Sequence, residues 1–142
     1  MSPQDVARKA IEAFNRHDAN AFAQLYAADA VAPDPQYAKP LRGREAIRKD
    51  IEAFFGALPD VRAKVVGGFL ASDDSVAFEV EITGTHTGPL VPPDGPIPAT
   101  NRRLQMTGGR FVQVNGQDEI THCRRYYDIS GLMDQLGLVS GS

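Results

Sequence analysis

The sequence predicts an α+β fold in which three helices from the first half lie inside a curved antiparallel sheet built by the second half. Two patterns carry this expectation. Up to Gly56 the apolar residues recur at helical spacing, and from Val61 onward they alternate with polar ones. Helical and strand segments do not interleave, which favours α+β over a parallel βαβ architecture. A third observation is the Asn115-Gly116 pair between two alternating runs, a strong hairpin signal that makes the late strands antiparallel neighbours.

Pro3 and Asp5 open the first helix, and Val6, Ala10, Ile11, Ala13 and Phe14 carry its apolar face to about Arg16. Asp18 suits the N-cap of a second helix, Ala19 to Tyr26, which buries Phe22 and Leu25. Val31 to Pro35 reads as short and extended, and its prolines argue against a central strand. The stretch to Leu41 reads as loop. A third helix runs from Glu45 to Gly56 with Ile47, Ile51, Phe54 and Phe55 on one face. Strands are expected at Val61 to Leu70, Val76 to Thr87, Leu104 to Val114 and Glu119 to Tyr127. Between the second and third lies Gly88 to Pro98, a long loop with five prolines. A short helix from Ser130 to Leu136 stops at Gly137. At 142 residues one domain is expected over residues 1–139, with a disordered tail at 140–142.

Composition narrows the function classes. Net charge is −3 and the pI is near 5.5, so no basic field is expected to hold nucleic acid. No apolar run approaches the ~18 residues of a membrane span, and the N-terminus has no basic, apolar leader. A cytoplasmic location and no membrane partner are therefore expected. Cys123 is the only cysteine and reads as a small packing residue. His17, His86 and His122 lack ligand spacing, so no metal is expected.

The most informative stretch is the last strand. Strand alternation puts His122, Arg124, Tyr126 and Asp128 on one face. If that face is the inner one it lines a polar pocket, with Asp128 as a candidate acid or base at its mouth. Asp128 has a second reading, as the N-cap of the helix that follows. Arg124 on the same face would hold Asp128 ionised and suit an acidic substrate. His86 shares parity with Phe78, Val80 and Ile82, which points it inward to orient a carbonyl, or leaves it at the rim on backbone partners. Arg110 shares parity with Met106, Val112 and Val114, so it either meets Asp128 or Asp34 inside or is turned outward by a bulge at Gly108-Gly109.

Several motifs together resemble a known superfamily. Phe14-Asn15-Arg16-His17-Asp18, Leu25-Tyr26-Ala27-Ala28-Asp29-Ala30, Gly43-Arg44-Glu45-Ala46-Ile47 and Leu58-Pro59-Asp60 are similar to segments of the nuclear transport factor 2-like proteins. Gly84-Thr85-His86-Thr87-Gly88 and Tyr126-Tyr127-Asp128 with Gln135-Leu136-Gly137 resemble its SnoaL-like polyketide (ester) cyclase branch. The resemblance implies a cone-like α+β barrel with an internal cavity. It also implies a cofactor-free enzyme that closes a hydrophobic, polyketide-like carbonyl compound by intramolecular aldol chemistry. Its general acid/base would be Asp128, with His86, Arg110, Arg124, Tyr126 and Asp34 binding substrate. The large sheet would pack on a second copy, as a homodimer or homotetramer, through a polar outer face of Glu79, Glu81 and Arg125.

Two other branches of the superfamily are similar in part. Asp34-Pro35 and Pro40-Leu41-Arg42-Gly43 resemble the ketosteroid isomerases, whose base would be Asp34, but Ala10 and Gly108 stand near the places of that enzyme's oxyanion donors. The Arg-x-Tyr-x-Asp ending resembles limonene epoxide hydrolase, yet Phe78-Glu79-Val80-Glu81 lacks the arginine that would pair with it. Epoxide opening and non-catalytic binding of a small ligand are therefore the alternatives.

Overall fold

The computed structural model describes residues 1–90 and 96–138. In chain order the elements are α1 (Pro3–Asn15), α2 (Ala19–Gln24), β1 (Tyr26–Ala32), β2 (Leu41–Arg42), α3 (Arg44–Ala57), β3 (Arg62–Ala71), β4 (Ser75–Thr85), β5 (Arg103–Val114), β6 (Ile120–Tyr126) and α4 (Ile129–Gln135). The expected tail at 140–142 and the middle of the proline loop lie outside the described residues. The strands form one six-stranded sheet in the order β2-β1-β6-β5-β4-β3, curved and not closed into a barrel. Among the described residues no helix is long and apolar enough to cross a membrane.

α1 starts on a capping box: Ser2 accepts from the Asp5 N–H, and the Asp5 carboxylate accepts from the Ser2 N–H. Its apolar stripe, Val6, Ala7, Ala10, Ala13 and Phe14, is buried. Phe14 also meets Phe55 of α3 edge-on at 5.3 Å between centroids. The sheet answers with Val76, Phe78, Val80 and Ile82 of β4 and Leu104, Val112 and Val114 of β5, all on the inner face.

The first half corrects three expectations. The second helix ends at Gln24, and Tyr26–Ala32 is a strand, one place in from the sheet edge. Pro33 does not oppose this, because it falls just past the last strand residue. β2, expected as loop, is a two-residue edge strand pairing Val31 with Arg42 and Ala32 with Leu41. β1 runs parallel to β6, so the sheet is mixed rather than purely antiparallel.

A bulge in β6 decides which side chains enter the core. Val114 pairs with Ile120, but Gln113 pairs with His122, so Thr121 is the extra residue. Ile120 is buried, and beyond the bulge the buried residues are Cys123 and Arg125. His122, Arg124 and Tyr126 are turned to the outer face instead. One inserted residue exchanges the whole set between faces. The outer face therefore lacks Arg125, and it carries exposed Phe111 and Tyr126 in edge-to-face contact at 5.8 Å.

Gly88 fixes the base of the proline loop. Its N–H donates to Ala57 O at 3.0 Å, and a Cβ at this position would lie 1.9 Å from Gly56 O. The loop then bridges back on itself through Leu90 and Ile97. Gly88→Ala should therefore lower stability by about 1–3 kcal/mol, because the loop or the end of α3 must move. Chemical denaturation of the pair checks this; equal midpoints would contradict the close approach.

Candidate active site

The inner face of the sheet and the three N-terminal helices enclose a cavity of about 110 Å³. Most of its wall is apolar: Ile11, Phe14, Phe22, Ile51, Phe54, Val80, Ile82, Leu90, Met106 and Leu132. Polar groups reach it from Asp34, Tyr37, Asp50, Arg110, Arg125 and Tyr127.

Arg125 organises these groups. Its Nη1 donates to Asp50 Oδ2 at 2.9 Å and lies 3.4 Å from Asp34 Oδ2. The side chains of Arg125, Asp34 and Asp50 are only 8%, 7% and 15% exposed, so this is a buried carboxylate–guanidinium–carboxylate cluster. Burial works against the charge on Arg125, but neighbours led by Tyr26 and Asp50 hold its pKa well above the ordinary value.

Each carboxylate also receives a phenol. Tyr127 donates to Asp34 Oδ1 at 2.6 Å, and Tyr37 donates to Asp50 Oδ1 at 2.5 Å. Burial, reinforced by these carboxylates, raises both phenol pKa values, so both tyrosines stay neutral donors. Chain geometry explains the convergence. Asp34 follows the end of β1, where its carboxylate accepts the Gln36 N–H at 2.9 Å in a local turn. The Arg125 N–H donates to Pro33 O at 3.2 Å and ties β6 to that turn. Asp50 comes from the middle of α3, and Tyr127 from the residue after β6. Asp34 Oδ2, held only by the 3.4 Å contact, is the least committed carboxylate oxygen in the cluster.

The family model for the SnoaL-like polyketide cyclases matches residues 4–136. The chain belongs to that family. No curated protein matches this SnoaL-like sequence. Among solved structures, it is similar to IdmH, a proposed polyketide cyclase from Streptomyces antibioticus. That match has 27% identity, covers 96% of this chain and 99% of IdmH, and has a TM-score of 0.77. A protein from Catenulispora acidiphila with a ketosteroid isomerase-like fold aligns at 22% identity over 98% of this chain and 96% of its own, with a TM-score of 0.77. SalBIII, an epoxide hydrolase/cyclase-like enzyme in pyran ring formation in the polyether salinomycin, aligns at 17% identity over 90% of this chain and 92% of its own, with a TM-score of 0.73.

In this SnoaL-like protein the residues singled out from the sequence divide into two groups. Asp34 and Arg110 line the cavity. Asp128 does not: it is exposed and caps α4, accepting the Gly131 N–H at 3.0 Å. Arg124 and Tyr126 are outside for the reason the bulge gives, so the expected Arg124–Asp128 contact inside a pocket does not form. Asp50, Arg125, Tyr37 and Tyr127 were not anticipated. Asp50 had a readable signal, since it stands next to Ile51 and between Ile47 and Phe54 on the apolar side of α3. Among the described residues no cluster of three His, Cys, Asp or Glu is placed to hold a metal.

His86 is fully buried but does not line the cavity. Its Nδ1 lies 3.0 Å from Thr100 Oγ1 and 3.3 Å from the Thr100 nitrogen, and its Nε2 is a buried atom without a partner. Burial lowers the His86 pKa below its ordinary 6.5. In this state the folded protein binds fewer protons than the unfolded chain, so stability is fully present above pH 6.5 and falls as the pH drops below it. Urea denaturation at pH 7.5 and pH 5, compared between wild type and His86→Gln, checks this. The variant should lose less stability on acidification, and equal losses would contradict the assignment.

Proposed function

We propose that this protein is a cofactor-independent acid/base enzyme acting on a small hydrophobic carbonyl compound, with Asp34 as the proton acceptor. The observation that supports the reading is the buried Asp34–Arg125–Asp50 cluster opening on a mostly apolar cavity. A polyketide-like chain closing by intramolecular aldol addition fits both the family and the site. Carbon acids beside carbonyls need only one positioned base and a wall that holds the chain folded.

In the proposed reaction Asp34 Oδ2 takes a proton from the carbon beside a carbonyl, leaving an enolate. As the Asp34 charge is neutralised, the Tyr127 hydroxyl is released from the carboxylate and donates to the enolate oxygen. The enolate carbon then bonds to a second carbonyl carbon, and the resulting alkoxide recovers the proton from Asp34. Asp50 and Tyr37 position Arg125 and touch no reacting atom. Asp128 has no part in these steps.

A second reading is supported by the pairing of two carboxylates through one guanidinium. One carboxylate can take a proton from an attacking water while its counterpart returns one to an epoxide oxygen, the class of chemistry named for SalBIII. Incorporation of labelled water oxygen into the diol from styrene oxide separates the two readings.

The test is hydrogen–deuterium exchange at the acidic carbon of phenylacetone, followed by NMR. Wild type should accelerate exchange, and Asp34→Asn should lose ~10²- to 10⁴-fold of that acceleration. Asp128→Ala should cost about 1 kcal/mol of stability through its lost cap and leave the exchange rate unchanged. Unimpaired exchange in Asp34→Asn, or loss of exchange in a folded Asp128→Ala, would overturn the assignment.

A further inference from the structure

Arg110 is a cation in the cavity that forms no salt bridge with a carboxylate among the described residues. β5 carries it inward, directly opposite Phe78 on β4 and Arg125 on β6. Among the described residues its side chain makes one hydrogen bond, from Nη1 to the carbonyl of its neighbour Gly109, at 3.0 Å. Among the described residues it forms no ion pair; of the two carboxylates that share the cavity with it, Asp50 is paired with Arg125 and Asp34 is held by Arg125 more loosely. Gly108 makes room for it, since a Cβ there would lie 3.0 Å from Arg110 Nη1. Burial and the adjacent Arg125 both push the Arg110 pKa down.

Like charges directly opposite on neighbouring strands are destabilising, and a charge removed from water is costly unless paired. Arg110 carries the first cost opposite Arg125 and, as a half-buried cation, part of the second. Arg125 adds a second unmet donor there: its Nη2 is buried and has no hydrogen-bond partner. The guanidinium fork matches a carboxylate, which accepts two parallel hydrogen bonds. Arg110 keeps its remaining donors for such a group, while the surrounding wall is apolar.

We propose that Arg110 docks an ionised carboxylate on the substrate, so that the protein acts on hydrophobic carboxylic acids in preference to their esters. The proposal names the substrate class for the acid/base reading above and rests on it. With the carboxylate on Arg110 and the apolar body against Phe14, Phe54 and Met106, a carbonyl-flanked carbon would face Asp34.

Calorimetric titration with phenylacetate and methyl phenylacetate tests it on wild type, Arg110→Gln and Arg110→Lys. Wild type should bind the acid roughly tenfold or more tightly than the ester. Arg110→Gln should erase that preference by weakening the acid alone, and Arg110→Lys, a point charge without the fork, should keep part of it. Equal affinities in wild type, undetectable acid binding, or a preference that survives in Arg110→Gln would overturn the proposal. If Arg110→Gln does not fold, Arg110→Lys decides: weaker acid binding with unchanged ester binding supports the proposal, and unchanged acid binding overturns it. Asp34→Asn separates this outcome from the catalytic reading, because it should lose carbon-acid exchange yet still bind the acid. Acid preference without wild-type exchange defeats only the catalytic role of Asp34, and exchange without acid preference defeats only the role of Arg110.

Discussion

Arg125 sets one guanidinium nitrogen between two buried carboxylates, 2.9 Å from Asp50 and 3.4 Å from Asp34, and the polar end of the cavity depends on that placement. A cation so deeply desolvated persists only with its partners in position, and the three residues come from separate parts of the chain. Asp34 sits after β1, Asp50 on α3, and Arg125 on β6. The cluster therefore fixes the helical layer to the sheet at the point where the apolar walls leave an opening. Tyr127 and Tyr37 complete it, each satisfying a carboxylate oxygen that Arg125 leaves free.

This constraint separates the two aspartates that sequence motifs bring forward. Asp128 stands in the conspicuous C-terminal motif, and its carboxylate serves the backbone of α4. Asp34 stands in a less distinctive proline-flanked turn, and its carboxylate faces an apolar cavity. Membership of the SnoaL-like family accounts for the fold and a cyclase-type role. The choice of base rests on the local surroundings, where a buried carboxylate with one loosely held oxygen is better placed for proton transfer than an exposed helix cap.

The architecture is largely legible in the residues, because α1 and α3 have strong helical periodicity and β4 alternates cleanly. β1 was hidden because Tyr26-Ala27-Ala28-Asp29-Ala30-Val31-Ala32 is rich in alanine, a helix former, and pairing with β6 overrides that preference. The site was harder to read, since a single bulge at Thr121 exchanges the two faces of β6 and no alternation pattern shows where a bulge falls. Alternation without the bulge puts Arg125 on the outer face. Asp50 is not legible as an interior residue because a lone polar residue beside a helical apolar stripe is usually a boundary position, and only the arrival of Arg125 makes it an interior one. Arg110 is legible by parity because β5 carries no bulge at Gly108-Gly109 and keeps regular pairing with β4 from Ser75 to Thr85, whereas Asp34 is legible only through the resemblance of its proline-flanked segment.

The central claim is that Arg125, Asp34 and Asp50 act as one unit. Denaturant unfolding of Arg125→Met, of Asp34→Asn/Asp50→Asn, and of the triple variant measures their coupling. Removing the guanidinium alone leaves two buried carboxylates unpaired and should cost about 3–5 kcal/mol. The triple variant should be markedly more stable than the sum of the separate losses allows. Additive losses, or a negligible effect of Arg125→Met, would contradict the account.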